Sequence, residues 1–358
     1  MHFLKQFAFS LIFLFIALPV AAESGSITLV AAGDLLLGGS AAATVHRHGF
    51  DYPFLEISDI LHSADIAMAN LEAPLTRQPE PVADKSFTFK VDPAAAAALQ
   101  QAGLTVLTLA NNHIGDFGPT GVTDTIAALR PYGLRYTGAG EDLKQARKPT
   151  AIATEGGSVG FLAYSNTFPK DFYAKSDRPG TAPGYAAFVR DDVQRLRTFV
   201  DYVVVSFHWG SELMTAPKDY QRRLAKLAID SGAQVVIGHH PHVLQGVEFY
   251  NGGAIYYSLG NFAFGSYSRN AKTGGLARIT LAEGKVKSAE ILPLNVANHE
   301  VLFQPQPLTG DSDFAGDFAG LCAPFGIGLI DKSADGFWRL REMVTSPQFA
   351  AADNGSSK

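Results

Sequence analysis

Short apolar runs alternate along this chain with amphipathic stretches and Gly- or Pro-rich breaks, and the spacing predicts its elements. Ser26–Ala32 (SITLVAA), Ile66–Leu71 (IAMANL), Val106–Ala110, Tyr202–Phe207 (YVVVSF) and Val235–Gly238 are near-continuous hydrophobic runs of strand length. Such runs mark strands buried on both faces. The spacing predicts helices over Pro53–His62, Pro93–Ala102, Pro119–Tyr132, Arg190–Val200 and Lys218–Ser231. Asp92 is placed to cap the second of these and Gly103 follows its end. Pro119 opens the third near its first turn, and Leu224, Leu227 and Ala228 share one face of the last. Three hairpins are predicted. Thr150–Thr154 pairs with Ser158–Tyr164 across Glu155-Gly156-Gly157, and Gln245–Tyr250 pairs with Ala254–Leu259 across Asn251-Gly252-Gly253. Leu276–Leu281 pairs with Lys285–Leu292 across Glu283-Gly284. The first part alternates strand and helix and the later part adds hairpins, which predicts an α/β sheet layered against further antiparallel strands.

The two ends read differently. Residues 1–22 carry a charged start at Lys5, an apolar run to Pro19 and the small residues Val20-Ala21-Ala22. That layout predicts a secretory signal peptide cut after Ala22 and an exported protein, periplasmic or extracellular. The run is short for a membrane span, which needs about 20 apolar residues. The main domain is expected over 26–295. Residues 296–349, rich in Pro, Gly, Asp and Phe through Gly328, read as an irregular extension, and 350–358 as a disordered tail. Phe168–Tyr185 and Arg77–Asp84 read as loops placed to border a site.

Composition narrows the function classes. Of 358 residues, 47% are hydrophobic and 18% charged, enough apolar material for a large core. The net charge of −5 offers no basic surplus, so nucleic acid is not an expected partner. The single cysteine, Cys322, excludes a disulfide within the chain and any Cys-rich metal site, and reads as a buried small hydrophobe.

Polar residues gather where the predicted strands end. Asp34 follows the first; Asn70 and Glu72 close the second; Asn111, Asn112 and His113 follow the third. His208, Trp209 and Glu212 follow YVVVSF; His239, His240 and His242 follow VVIG; Gly260 and Asn261 follow IYYSL. A polar residue after a strand is ordinarily a turn cap. Six successive strand ends carrying Asp, Glu, Asn and His point instead to a ligand site beyond the carboxyl ends of the sheet. Carboxylate and amide oxygens mixed with imidazoles suit divalent Mn, Zn or Fe. In an extended segment His240 and His242 project together with Pro241 stiffening them, while His239 points elsewhere as a packed histidine. His46, His48, His62 and His299 read as surface histidines.

In this order, GD with Asp34, ANLE with Glu72, ANNH with His113, SFHWG, HPHVLQG and YSLGNF resemble the bacterial capsule-synthesis CapA family, also called the poly-γ-glutamate synthesis protein family. The resemblance runs from about Ser26 to Asn295. It implies the calcineurin-like metallophosphoesterase superfamily and a four-layer α/β/β/α sandwich with two divalent metal ions at the strand ends. It places metal ligands on Asp34, Glu72, Asn112, His208, His240 and His242, with Glu72 bridging, and a catalytic histidine on His113. Asn70, Trp209, Glu212, Gln245 and Asn261 are the expected substrate contacts. The wider superfamily has a histidine two residues after the first aspartate, where this chain has Leu36. One metal position then keeps Asp34, Glu72 and His242, and the other Glu72, Asn112, His208 and His240. One site is therefore expected to be firm and the other weaker.

Two functions follow from the resemblance. One is a metal-dependent hydrolase of a phosphoester or a capsule polymer, with His113 protonating the leaving oxygen. The other is an accessory protein of capsule polymer synthesis or export whose metal centre only binds. Membrane-bound capsule-synthesis partners and the oligomeric state are left open.

Overall fold

In the computed structural model, which describes residues 25–83, 85–308 and 312–343, the hydrophobic runs become strands. The first half holds β1 (Ile27–Leu36), β2 (Ile66–Leu71), β3 (Val106–Thr108), β4 (Arg135–Thr137), β5 (Ala139–Gly140), β6 (Thr150–Thr154) and β7 (Gly157–Ser165). Next come β8 (Gly180–Thr181), β9 (Tyr202–His208), β10 (Val235–His239), β11 (Val247–Tyr250), β12 (Gly253–Tyr256) and β13 (Asn261–Phe264). The last are β14 (Thr273–Ala282), β15 (Lys285–Asn295), β16 (Gln306–Pro307), β17 (Ile327–Lys332) and β18 (Trp338–Glu342). The segments read as signal peptide and C-terminal tail lie outside the described residues.

One sheet runs β17-β18-β15-β14-β1-β2-β3-β4, parallel from β1 to β4 and antiparallel on the other flank. The other runs β11-β12-β10-β9-β7-β6, with a parallel centre closed at each edge by a predicted hairpin. After β12 the chain crosses from the second sheet to the first, where β13 pairs in parallel with β1.

Period-two alternation sorts the buried strands into three cores. Leu29 and Ala31 join Val204 and Ile237 between the sheets. Val30 and Ala32 face the other way, against Leu99, Val122 and Ile126 of helices Ala95–Gln101 and Gly118–Leu129. On the far face of the second sheet, Val203, Val205 and Val236 meet Val189, Val193, Leu224 and Ala228 of helices Ala186–Leu196 and Asp219–Ser231. Helix, sheet, sheet and helix thus stack as the expected four-layer α/β/β/α sandwich. Each fully buried Val, Leu or Ile contributes about 1.5–3 kcal/mol to holding the layers together.

Three elements differ from expectation. Pro53–His62 breaks into a 3-10 turn over Tyr52–Phe54 and a short helix over Ser58–His62. The helix expected from Arg190 begins at Ala186, where Phe188 lies under the Arg147 guanidinium. The extension after 295, expected to be irregular, carries helix Ser312–Cys322 and the β17–β18 hairpin, which joins the first sheet through β15. Phe314, Phe318 and Cys322 stand four residues apart and enter the core between the sheets, so apolar periodicity outweighs a Gly- and Asp-rich composition. No helix among the described residues is long and apolar enough to cross a membrane.

Candidate metal centre

Parallel strands bring their carboxyl ends to one side, and the register aligns them. Asp34 lies opposite Asn70 on β2 and Asn261 on β13; His208 on β9 lies opposite Ser165 and His239. Gly33 makes the approach to β13 possible. A Cβ there would stand 2.0 Å from the Gly260 carbonyl oxygen, which accepts the Asp34 N–H at 3.0 Å.

Asp34 is fully buried. Its Oδ1 accepts from Asn70 Nδ2 at 2.9 Å, and its Oδ2 accepts the His240 backbone N–H at 3.1 Å. Burial alone would raise its pKa, but His239 and His242 Nδ1, each 3.2 Å from one of its oxygens, outweigh this and hold the carboxyl well below the usual range. Glu72 is buried as deeply and behaves oppositely. Desolvation, with Asp34 and Glu212 nearby, pushes its pKa well above the ordinary value. Its Oε1 has no hydrogen-bond partner and lies 3.4 Å from His208 Nε2 and 3.9 Å from His242 Nε2. Asn112 Oδ1 lies 2.6 Å from His208 Nε2.

His240 and His242 converge for a reason other than the expected one. The segment is not extended: φ is +93° at His240 and +59° at His242. These left-handed conformations around Pro241 cost about 1–3 kcal/mol each. The His240 N–H to Asp34 bond and a His242 Nδ1 to Asn261 Oδ1 contact at 3.0 Å hold them. Burial, with His242 beside it, lowers the His240 pKa to about 3. His208 is likewise depressed by burial and by His240, so both rings stay neutral and free to ligate. Burial works against protonating His242 too, but Asp34 outweighs it and raises that pKa. His239 is a packed histidine, as expected, yet its ring lies against Asp34.

His113 stands beside this cluster. Its Nδ1 is 2.8 Å from Asp116 Oδ2 and 3.0 Å from Lys85 Nζ, and Lys85 also forms an ion pair with Asp116. Burial lowers the His113 pKa while Asp116 opposes the shift. Asp116 and Lys85 were not anticipated. The signal available was the three-residue step from His113 to Asp116 in NNHIGD. Lys85 comes from a separate loop and leaves no local signature.

A cavity of about 610 Å³ opens over the cluster, lined by Lys85, Asn112, His113, Glu212, His242 and Asn261 among others. A neighbouring cavity of about 640 Å³ shares Lys85 and is lined by Val82 and Ala83 of one expected loop and by Phe168, Phe172 and Arg178 of the other. A further cavity of about 890 Å³ opens around Leu143–Pro149 and has none of these residues in its lining.

Of the five expected substrate contacts, Glu212 and Asn261 line the cavity. The other three are corrected by burial. Asn70 sits beneath the ligands, bonded to Asp34 and 3.3 Å from Glu72 Oε2. Trp209 stacks on Phe207 in the outer core and donates to the Tyr257 carbonyl. Gln245 donates to the Met214 carbonyl and accepts from Gln221. Asn111 clamps the turn, accepting from the His113 and Ile114 N–H groups.

The donors fit divalent cations. Ligand atoms of Glu72, His208 and His240 lie within 4.8 Å of one another, as do those of Asp34, Glu72 and His242. An unpartnered, fully buried carboxylate oxygen shared by two such sets is costly unless a cation meets it. The unpartnered His240 Nδ1 makes the same point. Both of these groups contain Glu72, and a third joins Glu212 to His240 and His242.

The profile of the bacterial capsule synthesis protein PGA_cap matches residues 28–266. The capsule biosynthesis protein CapA of Bacillus anthracis is 32% identical over 298 residues, covering 81% of this chain and 72% of that protein. A Mycobacterium tuberculosis protein named as a probable polyglutamine synthesis accessory protein is 33% identical over 277 residues, covering 69% of this chain and 70% of its own. Among solved structures, the calcineurin-like phosphoesterase YfkN of Bacillus subtilis superposes with a TM-score of 0.43 at 12% identity, covering 76% of this chain and 92% of that one.

Proposed function

This chain belongs to the bacterial capsule synthesis protein family, and from that premise we propose that it is an exported, metal-dependent hydrolase of poly-γ-glutamate-type capsule or envelope polymer metabolism. The observation that carries the reading is the unpartnered Glu72 Oε1 between the nitrogens of His208 and His242, beneath a cavity that also holds His113. Asp34, Glu72 and His242 would hold one ion, and Glu72, Asn112, His208 and His240 the other. A bound pair supplies hydroxide near neutral pH and charge stabilisation of the attacked group.

The remaining work falls to the chain's own residues. Asp116 fixes the His113 ring through Nδ1, which leaves Nε2 to give a proton to the leaving atom. Lys85 brings positive charge to the cavity wall, which suits a phosphoester or a carboxylate-bearing γ-glutamyl substrate. Asn261 orients His242. Export rests on the charged start and apolar run of residues 1–22.

The test is a panel of phosphodiesters and γ-glutamyl amides incubated with the protein and added Mn or Zn. Metal-dependent turnover of either class, abolished by a chelator, is the expected result. The name of the mycobacterial relative favours a second reading, an accessory protein with a binding-only centre. Bound metal without turnover of any substrate would select it.

A further inference from the structure

We propose that Glu212 is a further metal ligand, closing the centre from its solvent side in company with His242. The inference rests on the metal-binding reading above and adds to it the ligand on which access to the centre depends.

A carboxylate oxygen of Glu212 and ring nitrogens of His240 and His242 lie within 4.8 Å of one another, a third set beside the two buried ones. His240 and His242 each belong to one buried set and also to this one. The buried sets are unequally supplied. Asn112 adds a fourth protein donor to Glu72, His208 and His240, whereas Asp34, Glu72 and His242 offer three. Among the described residues, Glu212 is the one further acid that meets the histidines closely enough to make up the difference.

Its placement is built. Glu212 follows β9 through Gly210, whose φ is +89°. Leu213, also in the left-handed region at +60°, donates its N–H to the Pro241 carbonyl at 2.8 Å. The backbone bearing Glu212 is therefore tied to the turn bearing both histidines.

The charges point the same way. No lysine or arginine among the described residues forms an ion pair with Glu212, and its negative charge acts on Glu72. Two acids close enough to act on each other repel unless a cation stands between them. Glu212 is exposed and lines the cavity, whereas Asp34 and Glu72 are fully buried, so it is the carboxylate that an incoming anionic group can displace.

The test is Mn²⁺ titration of the metal-stripped protein, with free ion read by electron paramagnetic resonance and bound ion by elemental analysis. Wild type is expected to take two ions. Glu212→Gln, which keeps shape and removes charge, should weaken the second by about 10–100-fold, at least what loss of an outer-shell partner costs. The first should keep its affinity. Asp171→Asn, an exposed acid beside the neighbouring cavity, should change neither. A Glu212→Gln protein that binds both ions as wild type does overturns the proposal and leaves the metal centre standing. Equal weakening by Asp171→Asn also overturns it, because the effect is then that of the general field. Wild type that binds no Mn²⁺ overturns the metal reading itself.

Discussion

Replacing Gly33 by Ala tests how closely the fold and the site depend on one contact. The added Cβ would lie 2.0 Å from the Gly260 oxygen and 3.2 Å from that of Leu259, both backbone atoms that no side-chain rotation can move. Ordinary carbon–oxygen contact needs more than 3 Å, so β13 must retreat from β1 by about 1 Å. That retreat stretches the 3.0 Å bond from Asp34 N–H to Gly260 O beyond useful length. Overpacking costs about 1–3 kcal/mol and an unmet buried hydrogen bond about 1–3 more, so about 2–6 kcal/mol in all. For a chain of this size that is a fall in melting temperature of about 3–8 °C. Asn261, opposite Asp34 in the register, moves with β13 and loosens its hold on His242, so metal affinity should drop as well. Thermal unfolding and Mn²⁺ titration read the two effects. Gly316→Ala is the control: it lies in helix Ser312–Cys322 with nothing near its Cβ, and should be neutral or stabilising by up to about 1 kcal/mol. Should Gly33→Ala melt within about 2 °C of wild type and keep both metals, the close-approach reasoning is wrong.

Other outcomes follow from the same side chains. His113→Ala should keep its metal and lose about 10²–10⁴-fold in activity, measured on whichever substrate of the panel turns over. Asp116→Asn should lose less, and because Asp116 raises the His113 pKa, the alkaline limb of the pH–rate profile should move to lower pH. In metal-free protein, the His240 pKa of about 3 lies below the unfolded value of about 6.5, so the folded chain binds fewer protons. Its contribution to stability is whole above about pH 6.5 and is lost toward pH 3 at up to about 1.4 kcal/mol per unit. Urea midpoints at neutral and acid pH should show this slope flattened in His240→Gln. Cys322, buried between the sheets with its thiol pushed up to about 11, should resist thiol reagents at mildly alkaline pH in the folded chain and react once it is unfolded.

Period and burial carried most of the fold into view. β2 has the predicted bounds because IAMANL is buried on both faces and lies between the acidic residues Asp65 and Glu72. The ligand residues were legible because parallel strands send whatever follows them to one edge. What local pattern hides is where each side chain turns at that edge. Trp209 and Glu212 follow the same strand, but Trp209 folds back into the outer core while Glu212 reaches the cavity. Asn70 and Glu72 stand two apart and both reach the centre, one as donor to Asp34 and one as the unpartnered acceptor. The pairing of His113 with Asp116 and Lys85 is tertiary in the case of Lys85, and spacing alone does not announce it. The C-terminal helix was obscured by glycines that are tolerated on its exposed face, Gly316 among them.

The helix from Ser312 and the β17–β18 hairpin bear on the order in which the molecule can be assembled. Phe314, Phe318, Cys322, Ile327 and Leu340 wall the same core that Leu29 and Ala31 enter from β1. The Leu321 carbonyl sits where a Cβ at Gly246 would come within 2.2 Å, directly after the HPHVLQ segment. The earliest strand therefore shares its inner core with nearly the last described residues. A nascent chain that has delivered every metal-centre residue through Asn261 still shows the apolar face of β11, Val247 included, to solvent. Completion of the core, not appearance of the ligands, is the late event, and it makes the stretch before it the period in which chaperones have apolar surface to hold.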